Sequence, residues 1–72
     1  MSMFSDRLKE LRNVKGVTQK GMAEFLGMLE QSYQKYEYGQ REPNFETTIK
    51  LADFFDVTLD YLLGRSDNPA KR

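Results

Sequence analysis

Residues Val17–Pro43, VTQKGMAEFLGMLEQSYQKYEYGQREP, decide the fold of this 72-residue chain. Thr18 is followed by a run whose apolar members, Met22, Ala23 and Leu26, share one helical face. A threonine hydroxyl before such a run can accept a hydrogen bond from a first-turn amide. Thr18 is therefore the expected N-cap of a helix over about 19–26. Gly27 stands just beyond, where helices commonly end on a left-handed residue, a conformation that glycine enters without steric cost. A second helix over about 30–37 follows, and Gly39 stops it. Ala23, four positions before Gly27, supplies the small side chain needed where two helices joined by a tight turn cross. Met28, Tyr33 and Tyr36 are the apolar residues that seat the second helix. Its other face is polar, carrying Glu30, Gln31, Ser32, Gln34 and Lys35.

The same reading extends outward in both directions. Phe4, Leu8 and Leu11, at i, i+4 and i+7, make the apolar stripe of a helix over about 4–14, ended by Gly16. Pro43 and Asn44 open a helix over about 45–55 with Phe45, Ile49, Leu51, Ala52, Phe54 and Phe55 as its apolar members. Thr58 caps a short helix over 59–63 that ends at Gly64. No alternating apolar–polar run suggests a strand, and no repeat or linker divides the chain. The expectation is all-α: a compact five-helix bundle over residues 1–66, with residues 67–72 as a flexible tail.

Composition removes several classes of function. Cysteine and histidine are both absent, which excludes disulfides, thiolate zinc sites and the commonest general base. No apolar run approaches the roughly 20 residues that span a bilayer, and Met1–Lys9 lacks the apolar core of a signal peptide. The expectation is a cytoplasmic protein with no membrane contact, cofactor, metal site or small-molecule substrate. Asp56 and Asp60 come nearest to a catalytic carboxylate pair. Acidic residues near a helix start are also expected from the helix dipole, and no other candidate catalytic group accompanies them. The inventory argues against an enzyme.

The formal net charge is zero, but it is unevenly spread. Residues 1–41 carry seven Lys/Arg against five Asp/Glu, whereas residues 42–63 carry one against five. A mildly basic half is thus set apart from an acidic segment, a dipole able to turn one face toward phosphates. Ordinary solvating charge explains the same numbers equally well.

The Thr18-Gln19 pair, the Ala23 to Gly27 spacing and the run Tyr36-Glu37-x-Gly39-x-Arg41-x-Pro43 together resemble the Cro and lambda-repressor-type helix-turn-helix family, also called the Xre family. Further matching pieces are Arg7-Leu8-Lys9-Glu10-Leu11-Arg12, Leu26-Gly27, Ile49-Lys50-Leu51-Ala52-Asp53 and Leu59-Asp60-Tyr61-Leu62-Leu63-Gly64. The resemblance therefore runs from about Arg7 to Gly64. It implies a five-helix DNA-binding domain with its motif at about 18–37. It also implies binding to a double-stranded operator, usually as a homodimer, to repress or occasionally activate transcription.

Roles follow from the resemblance position by position. Thr18 and Gln19, with Lys20 beside them, match the start of a helix that meets a DNA phosphate, and helix N-termini suit anions. Glu30, Gln31, Ser32, Gln34 and Lys35 match the exposed side of a recognition helix in the major groove. Gln31 suits a bidentate bond to an adenine edge, and Lys35 suits guanine acceptors. Gln40, Arg41 and Asn44 match the loop that follows the DNA backbone. Arg12 and Glu37 match a partly buried ion pair joining the first helix to the third. From the residues alone they are also readable as two surface charges worth less than about 1 kcal/mol. The family's dimer contacts lie around the fourth and fifth helices. There Phe45, Phe54, Leu59, Tyr61 and Leu62 are many large apolar side chains for so short a bundle: one or two are expected to form an exposed patch, the alternative being that all five close the core.

Several positions depart from the family pattern. Leu29 stands where Ser or Thr normally caps the recognition helix, at a cost of about 1 kcal/mol. Gly21 lies inside a helix, with a similar penalty against alanine. Tyr33 replaces a usual Ile or Val, and Tyr38 a frequent Asn. Glu30 puts a negative charge at the leading reading position, where it either accepts from cytosine N4 or repels phosphate. The competing expectation is a protein-interaction module on the same scaffold, of the antitoxin or antirepressor kind, with weak or no DNA binding.

Overall fold

A computed structural model describes residues 3–69. Among them are five helices and no strand: α1 Met3–Lys15, α2 Gln19–Leu26, α3 Glu30–Glu37, α4 Phe45–Phe55 and α5 Leu59–Leu62. The expected helices are all present, and α5 closes one residue early on Leu63. Three caps form as their residue types predict. The Thr18, Asn44 and Thr58 side chains accept from the amides of Gly21, Thr47 and Tyr61. Gly27 takes the left-handed conformation, φ 70° and ψ 37°, and its amide returns to the Ala23 and Glu24 carbonyls.

The end of α4 is different. Its left-handed C-cap is Asp56, at φ 56°. A short polar side chain tolerates this region better than most. With no glycine at the site, the sequence gives little sign of it. Asp56 thus ends one helix while Asp60 lies in the first turn of the next. Among the described residues, no group of three or more His, Cys, Asp or Glu could hold a metal ion.

The α1 helix packs on α3, α4 and α5, and α2 packs on α3. Leu8, Met22, Tyr33, Leu51 and Leu62 are fully buried where these elements meet. Each burial of that kind contributes about 1.5–3 kcal/mol. Ala23 is 2% exposed, as the close crossing of α2 and α3 requires. Gly21 has a local reason. A Cβ there would lie 3.2 Å from both Thr18 Oγ1 and Val17 Cγ1, against the capping hydroxyl itself. No helix among the described residues is long and apolar enough to cross a membrane.

Arg7 ties the chain ends together, a role the sequence reading did not assign. Its guanidinium donates to the Tyr61 carbonyl at 3.1 Å and the Ser66 carbonyl at 3.4 Å, and stacks 3.9 Å over the Tyr61 ring. Of the expected tail, residues 70–72 lie outside the described residues. Within the described part, Asp67 sits 3.6 Å from Arg7 but is fully exposed.

The five candidate dimer residues have different fates. Phe45 is 77% exposed at the start of α4, and Leu59 is half-buried at the start of α5. Leu62 must be corrected. It is fully buried, because its place in the short α5 points it into the core between α1 and α4 neighbours. It therefore has no surface to offer a partner. Tyr61 is covered by Arg7. Phe54 packs against Phe25 and Phe55, with Lys15 over its ring.

Candidate nucleic-acid interface

The α3 helix turns its two tyrosines inward. Tyr33 and Tyr36 are buried and meet edge-on, with ring centroids 6.1 Å apart. The opposite face carries Glu30, Gln31 and Lys35, all exposed, with Ser32 and Gln34 half-buried at its margins. Thr18 and Lys20 are exposed at the start of α2, and Gln19 is half-buried there. The first amides of such a helix lack an intrahelical acceptor, which leaves them available to an anion. Gln40, Arg41 and Asn44 are exposed along the connection from α3 to α4. Asn44 is partly committed, since its Oδ1 caps α4 through Thr47 at 2.8 Å.

Beneath this surface lies a buried polar network. Glu37 closes α3 and is 2% exposed. A carboxylate at a helix C-terminus faces the negative end of the dipole, so it needs donors. Arg12 supplies two, from Nε at 2.5 Å and Nη2 at 3.1 Å. The Tyr33 hydroxyl supplies another at 2.5 Å, and Gln19 Nε2 a fourth at 3.1 Å. Arg12 Nη1 also donates to the Val17 carbonyl at 2.9 Å. The ion pair therefore joins α1 to the end of α3, and the Gln19 bond adds the start of α2.

This geometry gives Tyr33 its reason. Where an aliphatic residue would only fill space, the phenol also reaches the buried carboxylate. Among the described residues, no buried side-chain nitrogen or oxygen lacks a partner. Burial alone would push the Glu37 carboxyl up, but the bonds from Arg12, Tyr33 and Gln19 outweigh it and hold the group below its ordinary value. The Tyr33 hydroxyl is pushed far up by burial and by its bond to Glu37. The Arg12 guanidinium is raised by its bond to Glu37.

Gln19 has a second commitment that the sequence did not disclose. Its Oε1 accepts from Gln34 Nε2 at 3.1 Å, so it joins the buried network to the outer face of α3. Gln34 Nε2 also points at Glu30 Oε2, 3.5 Å away. Thus Gln19, Gln34 and Glu30 are drawn together. The side chains of Gln31 and Lys35 stand free on the surface.

Leu29 occupies the N-cap of α3 with no side-chain bond to the helix, and is 73% exposed. Its backbone, φ −72° and ψ 147°, already suits a capping serine. Leu29→Ser is therefore expected to stabilise the protein by about 1 kcal/mol, visible as a melting temperature higher by several degrees. A melt unchanged or lowered would mean that Leu29 contributes packing as large as the missing cap.

A helix-turn-helix family model matches residues 8–62, most of the chain. This chain belongs to the helix-turn-helix family. An uncharacterized HTH-type transcriptional regulator of Bacillus subtilis, YqaE, is 46% identical over 66 residues, covering 92% of this chain and 57% of its own length. The cryptic phage CTXphi transcriptional repressor RstR of Vibrio cholerae is 38% identical over 62 residues, covering 86% of this chain and 55% of its own. The crystal structure of a transcriptional regulator from Listeria innocua superposes with a TM-score of 0.85 at 25% identity, over all of this chain and 67% of the other. The chain thus spans a little over half the length of these two curated relatives. The matched span takes in most of α1, all of α2, α3 and α4, and α5.

Proposed function

We propose that this chain is a sequence-specific, DNA-binding transcriptional regulator of the cytoplasm, and that it acts as a repressor. The observation that carries this reading is the division of α3. Its inner face is held by buried tyrosines and a fully satisfied ion pair, while its outer face is polar, with Gln31 and Lys35 exposed. A reading helix needs that combination, because an imprecisely held side chain cannot discriminate base edges. The outer face enters the major groove, with Gln31 and Lys35 on base edges. Thr18, Gln19, Lys20, Gln40, Arg41 and Asn44 flank it toward the phosphates. The basic part of the chain carries α1–α3, and the acidic segment carries α4 and α5, which suits an approach to DNA by the first half. Repression rests on the likeness to a repressor.

One short helix reads only a few base pairs, so tight specific binding calls for two copies on a two-fold site. Phe45 and Leu59, with Ile49 in the shallow groove beside Leu59, form the apolar face for that contact. The patch is small, and five carboxylates surround it in the sequence of residues 42–63. A weak dimer that assembles fully only on its operator is expected. Sedimentation of the protein alone and with an operator duplex tests this. Two protomers per duplex are expected, with Phe45→Asp binding a single half-site. One protomer per duplex at saturation would overturn the assembly, and no salt-sensitive binding to any duplex would favour an interaction module instead.

A further inference from the structure

We propose that the buried Glu37 carboxylate, acting through Gln19, fixes which end of the Gln34 side chain faces the DNA. Gln34 then reads as an acceptor only. The proposal rests on the major-groove reading of α3 given above.

An ionised carboxylate can only accept hydrogen bonds. Gln19 must therefore turn its NH2 group toward Glu37, as it does at 3.1 Å. A glutamine amide has one donor end and one acceptor end. With the donor end held, Gln19 presents its Oε1 to α3. Gln34 must in turn offer its own NH2 to that oxygen, again at 3.1 Å. Its remaining N–H lies toward Glu30 Oε2 at 3.5 Å. Both donors of Gln34 are thus turned to the protein, and its Oε1 is left for an outside group. Reversing either amide would set acceptor against acceptor, so the orientation follows from the charge on Glu37.

The consequence is a specific limit on recognition. A glutamine that reads adenine in bidentate fashion uses both ends of its amide. Gln31, exposed near the start of α3, is free to do so. Gln34 is not. A lone acceptor pairs with an exocyclic amino group, adenine N6 or cytosine N4, and repels guanine O6 and thymine O4. Gln34 therefore favours A or C over G or T on the strand it contacts, by about 5- to 150-fold. Gln19 is a positioning residue in this scheme, whatever contact its backbone makes with phosphate.

Selection from a randomised duplex library, run on the parent and three variants, tests the proposal. Gln34→Ala should lose preference at one base pair per half-site, which identifies the pair. At that pair the parent should enrich A or C. Gln19→Ala frees the Gln34 amide to rotate and should admit G and T there, while the preference at the Gln31 pair stays. Gln34→Glu gives up the bonds to Gln19 Oε1 and Glu30, at a cost in stability, but it presents only acceptors outward and should still retain A or C. A parent preference for G or T at that pair would overturn the proposal. So would an unchanged preference in Gln19→Ala, since a merely structural Gln19 would lower affinity without changing the base read. A parent that enriches nothing would instead sink the operator reading, and this inference with it.

Discussion

Arg12→Ala is expected to destabilise the protein by about 3–5 kcal/mol, because it leaves a buried carboxylate without its counter-charge. Glu37 is 2% exposed, and the Arg12 side chain is 13% exposed. A surface pair would be worth only about 0–1 kcal/mol. A domain of this size is itself stable by only a few kcal/mol. The variant should therefore be largely unfolded near physiological temperature, as a thermal melt or urea titration would report. A loss below about 1 kcal/mol would show that the pair is a surface contact after all.

The same pair sets the acid limb of stability. The Glu37 carboxyl is held below its ordinary value in the folded state. Its contribution is fully present above the unfolded-state value, about 4.3. It is lost as pH falls through the lower folded value. The parent should therefore lose stability in that acid window. Glu37→Gln, with nothing to protonate, should lose less over the same range.

The double variant Gln31→Ala, Lys35→Ala should bind the preferred site about 2–6 kcal/mol more weakly, taking each base contact at about 1–3 kcal/mol. In affinity this runs from about thirtyfold to beyond ten-thousandfold. Both side chains are exposed, so the melt should hardly change. Discrimination between sites should fall further than affinity for mixed DNA. Titrations against the preferred duplex and a scrambled one would check this. Equal affinity of parent and variant for the preferred site would remove α3 from the groove.

How much of this was legible in the sequence depends on how local each signal is. Capping threonines, a left-handed glycine and apolar spacing act within one or two turns, and they mark α1 to α5 closely. The small Ala23 at the helix crossing is legible for the same reason. Asp56 was not, because the conformation it adopts is set by the chain on either side rather than by its own type. The network around Glu37 was legible only as an ion pair. That Gln19 also donates to the carboxylate depends on a residue 18 positions away meeting it in space, whereas Tyr33, four residues before Glu37, shares its helix face. Leu62 was misread as a dimer contact because an apolar residue in a four-residue helix has no periodicity to reveal which way it faces. Phe25, by contrast, is 46% exposed and stacks on Phe54 across 4.6 Å, a pairing between elements that no spacing rule could give.

The central claim is that α3 reads DNA, with two copies arranged about a two-fold axis. Selection of bound sequences from a random duplex library tests both parts at once. The expected result is an enriched palindrome with half-sites about one helical turn apart, roughly 34 Å, lost from the library selected by the Gln31, Lys35 double variant. Enrichment of a single site without two-fold symmetry, or the same palindrome from parent and double variant, would contradict it.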